Sequence, residues 1–185
     1  MKKNRVFVLS AMLLIGCLKI YPQRGQQSIG LSYLGVDKGN GVTATYQQSI
    51  GDNYFGYRVD ADWFKRDYNI TVVNNTYPTT LEKYAIGSAM TYSFEQIITH
   101  PFYIQAFLGG QFGQEKLNGA KEEIDGIPYD APKKTVFGAY AGIEFEMSIA
   151  KRFNLAILAK NTFTNSEVKK SMFFYGFGLK YNLNY

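Results

Sequence analysis

The chain has 185 residues, a formal net charge of +5, and 15 Tyr and 14 Phe against one Trp and one His. Four basic residues and no acidic residue lie in the first 23 positions, and removing that segment would lower the net charge to +1. The basic balance therefore gives no support for nucleic-acid binding, which needs positive charge on the folded surface. One Cys and one His also exclude an intrachain disulfide and a Cys–His or His-rich metal site.

The N-terminus has the form of an export signal. A basic start is followed by the apolar run Val6 to Leu18, which is shorter than the roughly 20 residues of a spanning helix but typical of a secretory signal peptide. We predict a signal peptide over residues 1–23 and one barrel domain over 24–185. Cys17 lies in the apolar run, and two interpretations remain open: a lipidated lipoprotein cysteine or a small apolar residue of the signal.

The rest of the chain alternates apolar and polar residues with a period of two, which is typical of strands with one face in an apolar medium. We predict eight strands, over residues 28–36, 42–50, 54–68, 80–94, 102–115, 135–148, 153–163 and 172–185. Most reach the length of about 9–11 residues that a tilted strand needs to cross a bilayer. The pattern predicts an all-β fold: a single eight-stranded antiparallel up-and-down β-barrel of outer-membrane type, in contact with outer-membrane lipid.

The predicted connections differ in length. Those over 51–53, 96–101 and 149–152 are short, those over 69–79 and 116–134 are long, and those over 37–41 and 164–171 are intermediate. Outer-membrane barrels have short periplasmic turns and longer extracellular loops. We therefore expect both termini to be periplasmic and the charged loop over 116–134 to be exposed. Two interpretations of this loop remain open: a surface that docks a partner, or a solvated loop with no partner.

The last strand places apolar residues at every odd position and ends on an aromatic residue. We predict that its outward residues are the signal by which the barrel-assembly machinery recognises the chain during insertion; these are Phe177, Leu179, Tyr181, Leu183 and Tyr185.

Charged residues fall on the opposite face of the strands from the apolar ones. Because a charge facing lipid at mid-depth costs about 2–4 kcal/mol for Arg or Lys, these side chains should point into the lumen. An eight-stranded barrel is filled by its own side chains, so we predict a plugged interior closed by ion pairs. The predicted lumenal charge network consists of Arg58, Asp60, Asp62, Lys83, Glu144, Glu146, Lys160 and Lys180.

Catalytic interpretations are less favoured. The carboxylates spaced two apart, Asp60 with Asp62 and Glu144 with Glu146, have the spacing of an acid/base pair or a Ca²⁺ site, but matching bases on the same face favour lumenal ion pairing. His100 lies in a predicted turn before Pro101. We expect no enzymatic activity, no cofactor and no metal site.

Several sequence stretches, taken together, resemble the TraO proteins of Bacteroides-type conjugative transposons. The resemblance includes a signal that ends near Gln23-Arg24 and continues through Tyr92-Ser93-Phe94, Leu108-Gly109-Gly110, the stretch from Gly113 to Asn118, Gly138, Gly142, Glu144 and the stretch from Gly176 to Asn182. It implies an outer-membrane component of a conjugative DNA-transfer apparatus, with a structural or docking role beside other conjugal-transfer proteins and no direct contact with nucleic acid.

Three other classes remain as alternatives. The first is a stand-alone small barrel of the OmpA-transmembrane-domain or OmpW type, which stabilises the envelope or admits small apolar solutes. The second is a barrel enzyme acting on lipid A or peptides, for which we find no polar constellation that includes His. The third is a secreted lipocalin-like carrier, whose strands would place apolar residues inside and polar residues outside.

Overall fold

The computed structural model describes residues 27–50, 54–72, 75–94, 101–121, 123–124, 127–128 and 133–183. The predicted signal peptide over 1–23, with Cys17, lies outside the described residues, as do His100 and Tyr185. In the described ranges, no helix is long and apolar enough to cross a membrane.

Eight antiparallel strands form one closed barrel, in which each strand pairs with the next and the last pairs with the first. They are β1 (Gln27–Val36), β2 (Gly39–Ile50), β3 (Phe55–Val72), β4 (Asn75–Ser93), β5 (Phe102–Leu117), β6 (Lys133–Ala150), β7 (Phe153–Thr164) and β8 (Ser171–Asn182). The predicted fold class is thus confirmed. Between β5 and β6 lie one turn of 3₁₀-helix, Asn118–Ala120, and a two-residue strand pair, Glu123–Ile124 with Ile127–Pro128.

The barrel has two ends, which we name by the chain termini. The terminal rim holds the start of β1, the end of β8 and the β2–β3, β4–β5 and β6–β7 connections, and the far rim holds the other four connections. Strands β3, β4, β5 and β6 have 18, 19, 16 and 18 residues, whereas β1, β2, β7 and β8 have 10 to 12. The extra residues extend the four long strands at the far rim. The longer strands therefore form a wall that extends beyond the rest of the far rim.

Two predicted loops at the far rim are wrong. The stretch 69–79 was expected to be a long loop, but β3 and β4 continue through it, with Ile70 paired to Tyr77 and Thr71 to Thr76. Branched and aromatic residues favour extended strands and cross-strand pairs, which explains the longer hairpin. The β1–β2 connection is likewise a tight turn, in which Lys38 has a φ of 57°.

The side chains separate into two environments. Outward positions carry large apolar residues such as Leu108, 66% exposed, and Phe177, 63% exposed, whereas inward positions carry most of the charged residues. This is the inverse of a water-soluble barrel such as a lipocalin-like carrier. The lumen also has an apolar layer, which the sequence analysis did not single out, formed by Leu34, Val36, Phe64, Phe107, Tyr140, Leu158, Met172 and Phe174.

Candidate functional site

The lumenal charges come from five strands whose inward positions meet at the barrel axis. Arg58, Asp60 and Asp62 alternate along β3, and Glu144 and Glu146 do the same on β6. Lys83 lies on β4, Lys160 on β7 and Lys180 on β8. Because side chains on one strand face have a period of two, each strand delivers its charges to the same side of the sheet.

Arg58 is the centre of the network and is fully buried. Its Nε donates to Asp60 Oδ1 at 2.8 Å, and its Nη1 donates to Glu144 Oε2, across the lumen, at 2.9 Å. The guanidinium also lies 4.4 Å from the centre of the Phe107 ring, a cation–π distance. Asp60 accepts a further hydrogen bond of 2.8 Å from the Thr45 hydroxyl. Arg58 and Asp60 are therefore compensated and hydrogen-bonded, as buried ions must be.

Lys180, on β8, connects the same network to β2 and β6. Its Nζ donates to Glu144, to Glu146 Oε1 at 2.7 Å and to Gln47 Oε1 at 2.9 Å. Gln105 Nε2 donates to Glu144 Oε1 at 2.7 Å and to Glu146 Oε1 at 2.5 Å. The network thus connects β2, β3, β5, β6 and β8 by bonds that cross the lumen.

A second pair lies nearer the far rim. Lys160 Nζ donates to both carboxylate oxygens of Asp62, at 2.7 and 2.8 Å. Its ammonium group lies 5.7 Å from the ring centre of Tyr140 and 5.8 Å from that of Phe174. This ion pair therefore joins the charged layer to the apolar layer of the lumen.

Lys83 is the residue of the predicted lumenal charge network that forms no ion pair with the described residues. Its side chain is buried, but Nζ has no hydrogen-bond partner among the described residues and lies 6.0 Å from the Phe64 ring centre. Glu115, its register partner on β5, accepts instead from the Ser166 hydroxyl at 2.9 Å. The structure thus brings seven of the eight predicted residues into ion pairs.

Several polar members of the network were not singled out from the sequence: Thr45, Gln47, Gln105 and Asn154. Asn154 Nδ2 donates to Glu146 Oε2 at 2.8 Å. All four lie at inward positions, so the alternation that located the charges would also have located them. Neutral side chains tolerate either face, however, and the sequence gives no reason to prefer them as ligands of the charges.

The network closes the barrel. Several large side chains from different strands are almost fully buried and meet in the lumen, namely Arg58, Lys83, Tyr140, Leu158, Lys160, Phe174 and Lys180. At the terminal rim a polar recess of about 40 Å³, lined by Ser28, Ser49 and Thr91, ends at Gln105 and Glu146. In the described part of the chain, no group of three or more His, Cys, Asp or Glu side chains is placed to hold a metal ion.

The outward residues of β8 lie where the alternation predicts. Phe177 and Leu179 are exposed on the barrel exterior, and the ring of Tyr181 lies 5.1 Å from that of Phe153 in an edge-to-face arrangement. Arg152 Nη1 donates to the Tyr181 hydroxyl at 2.9 Å, and Leu183 is exposed just after the strand. Recognition of these residues by the assembly machinery stays a prediction.

Comparison with known structures gives the class of fold. A major outer membrane protein from Thermus thermophilus is similar with a TM-score of 0.68 and 8% identity, covering 87% of this chain and 100% of that one. The outer membrane protein OprG from Pseudomonas aeruginosa has a TM-score of 0.53, 11% identity and coverages of 87% and 95%. Ail of Yersinia pestis, solved with the heparin analogue sucrose octasulfate, has a TM-score of 0.53, 12% identity and coverages of 86% and 97%.

These similarities define the fold as that of the small eight-stranded outer-membrane β-barrels. No protein-family model matches the chain, and no curated protein matches it in sequence. At such low identity the similarity concerns the fold alone, so the function must be argued from the residues themselves.

Proposed function

We propose that the protein is an integral outer-membrane barrel, exported by a cleaved signal peptide, that works as a closed membrane-embedded scaffold and stabilises the envelope. We expect the protein to have neither enzymatic activity nor an open pore. The observation that carries it is the ion-pair network, in which Arg58 and Lys180 connect strands on opposite sides of the lumen.

The exterior supports the membrane location. Large apolar side chains cover the outward face on every wall, among them Leu31, Ile86, Leu108, Ile143 and Ile157, each more than half exposed. A continuous apolar surface of this kind is unfavourable in water and marks a membrane-contacting surface. Most charged residues of the same strands point away from it, into the lumen, whereas Glu82 and Lys116 lie on the outward phase near the far rim.

The interior supports the scaffold role. A pore or solute path needs a lumen that the solute enters and leaves, but here the charged layer and the apolar layer fill successive levels of the barrel. Passage of a small apolar solute would require the solute to separate Arg58 from Glu144 in a buried site. The solute would also have to displace the packed side chains of the apolar layer, among them Phe64, Tyr140 and Phe174, so we expect no passage.

Three measurements test the proposal. The protein should stay with outer membranes after extraction with urea, and it should migrate on unheated gels as a compact folded barrel. In planar bilayers the wild type should give no steady conductance. Stable channels in the wild type would overturn the closed scaffold, and recovery in the soluble fraction would overturn the membrane location.

A second candidate function is a structural or docking role in conjugative DNA transfer, in contact with other conjugal-transfer proteins. The residues that resemble TraO proteins support it, and part of them, from Gly113 to Asn118, lies at the end of β5 in the wall beyond the far rim. Such a wall is suited to contact other envelope proteins. Deleting the gene should lower the transfer frequency, and a normal frequency in the deletion strain would remove this candidate.

A further inference from the structure

A groove runs along the exterior of the barrel over β2 and β3. Its floor consists of Ala44 and Ala61, which are register partners on the two strands. Leu31 on β1 pairs with Ala44, and Ile86 on β4 pairs with Ala61, so two small side chains lie side by side between two large ones. The depression follows from this order of side-chain sizes, and we name it the alanine groove.

The alanine groove continues toward both rims. Toward the far rim it opens into a concavity of about 470 Å³ bounded by Trp63, Tyr84 and Lys116. Toward the terminal rim it opens into one of about 570 Å³ bounded by Tyr46 and Tyr181. Both concavities include Leu31, Ala44 and Ala61. The groove thus runs between two levels of Tyr and Trp, the residues that mark the two interfaces of a bilayer.

A short charged row lies above the groove at the far rim. Lys65, Glu82 and Lys116 are consecutive register partners across β3, β4 and β5. Lys65 Nζ lies 3.6 Å from Glu82 Oε1, and Lys116 Nζ lies 5.5 Å from the ring centre of Tyr84. Two bases and one acid give the row a net charge of +1, and the exposed Asp67 lies on the same face of β3, two positions after Lys65 and farther from the groove.

The outward lysines lie on one wall. Among barrel-strand residues whose side chains the structure describes, Lys65 and Lys116 are the basic ones on the outward phase of the alternation, whereas Arg58, Lys83, Lys160 and Lys180 point inward. The same wall carries the alanine groove. An apolar channel with a cationic end at the membrane interface is complementary to a lipid with an anionic headgroup.

We propose that the alanine groove binds a phosphorylated glycolipid of the outer leaflet, with an acyl chain over Ala44 and Ala61 and a phosphate at Lys116, which lines the far-rim concavity, and with Lys65 as a second cation on the other side of Glu82. The far rim faces the outer leaflet if both termini are periplasmic, so the inference rests on the proposed membrane location. A phosphate is favoured over a neutral headgroup because the lysines supply the charge, and Lys116 is held near the interface by Tyr84.

The test uses the full mature barrel in nanodiscs of phosphatidylcholine doped with lipid A, with retained lipid measured by native mass spectrometry. K65Q/K116Q should lower lipid A retention, by roughly fivefold for each lysine removed. E82Q should raise it, because the repelling carboxylate is gone. A61F, which fills the groove while leaving the lysines in place, should also lower it.

Matched controls are K170Q, at another exposed lysine of the far rim, and A139F, at an exposed outward alanine of β6; both should retain lipid A like the wild type.

Equal retention by K65Q/K116Q and the wild type would overturn the inference, as would an equal loss in K170Q. A dimer mass lost in A61F would assign the groove to a second copy and overturn it too. A barrel that inserts but retains no lipid A removes only this inference, whereas a barrel that never inserts removes the proposed function as well.

Discussion

Replacing Arg58 with Met removes the cation that joins Asp60 to Glu144 in the lumen. Met has a similar apolar stem and keeps the contact with Phe107, but it removes the charge that Asp60 and Glu144 share. Asp60 then keeps the Thr45 hydroxyl, and Glu144 keeps Lys180 and Gln105. Removing one partner of a buried ion pair costs about 3–5 kcal/mol, so we expect a loss of that size in the free energy of unfolding of R58M.

A double-mutant cycle separates the energy of the Arg58–Glu144 contact from the destabilisation that each substitution causes by itself. E144Q leaves the Arg58–Asp60 and Lys180–Glu146 pairs in place, so we expect a smaller loss of about 1–3 kcal/mol. The double variant R58M/E144Q should lose less than the sum of the two, with a coupling energy of about 0.5–3 kcal/mol, because the two side chains contact each other.

The assay is reversible urea unfolding in phosphatidylcholine vesicles, followed by fluorescence of Trp63. This is the single tryptophan of the chain, and it lies on the outward face of β3, so its emission reports transfer from lipid to water. The matched control is K169M, which breaks an exposed pair in which Lys169 Nζ lies 3.7 Å from Asp37 Oδ2; we expect less than about 1 kcal/mol. If R58M were as stable as K169M, the argument that the ion pairs hold the lumen closed would be refuted.

Three other substitutions test separate parts of the structure. I157R places a charge on the outward apolar face of β7, and if that face meets lipid the folded barrel should lose about 2–4 kcal/mol, measured in vesicles. K83M should destabilise less than K160M, since Lys83 Nζ has no hydrogen-bond partner among the described groups, although its charge attracts the carboxylates of Glu115 and Asp62. G87A should destabilise by about 1–3 kcal/mol through overpacking, because a Cβ at Gly87 would lie 2.7 Å from Cε1 of the buried Tyr140 ring.

Two of them have a control variant on the same assay. K160M removes a lumenal lysine with two bonds to Asp62 and should destabilise, so equal behaviour of K83M and K160M would contradict the assignment of Lys83 as the residue outside the network. G110A adds a methyl group whose nearest neighbour, the Gly138 carbonyl oxygen, would be 3.7 Å away, and it should be neutral. A stable I157R barrel in vesicles would contradict the lipid-facing assignment of β7.

The sequence by itself determines which face of each strand is apolar and how many strands there are. On β3 the order Arg58, Val59, Asp60, Ala61 already separates lumen from exterior, because neighbouring residues in a strand point in opposite directions. The cost of a charge in lipid then fixes which face is inside. These are properties of each strand and its solvent, so no tertiary contact is needed to predict them.

The tertiary structure decides which inward groups meet. Arg58 and Glu144 are 86 positions apart, and their contact depends on the register of every strand between them. A register change of two residues keeps each face assignment but gives Arg58 different neighbours, which is why the sequence includes Lys83 in the network and the structure does not. The alanine groove has the same origin, since Ala44 and Ala61 become neighbours only through the pairing of β2 with β3. Alternation along one strand determines the medium that a side chain faces, whereas hydrogen-bond register between strands determines its partners.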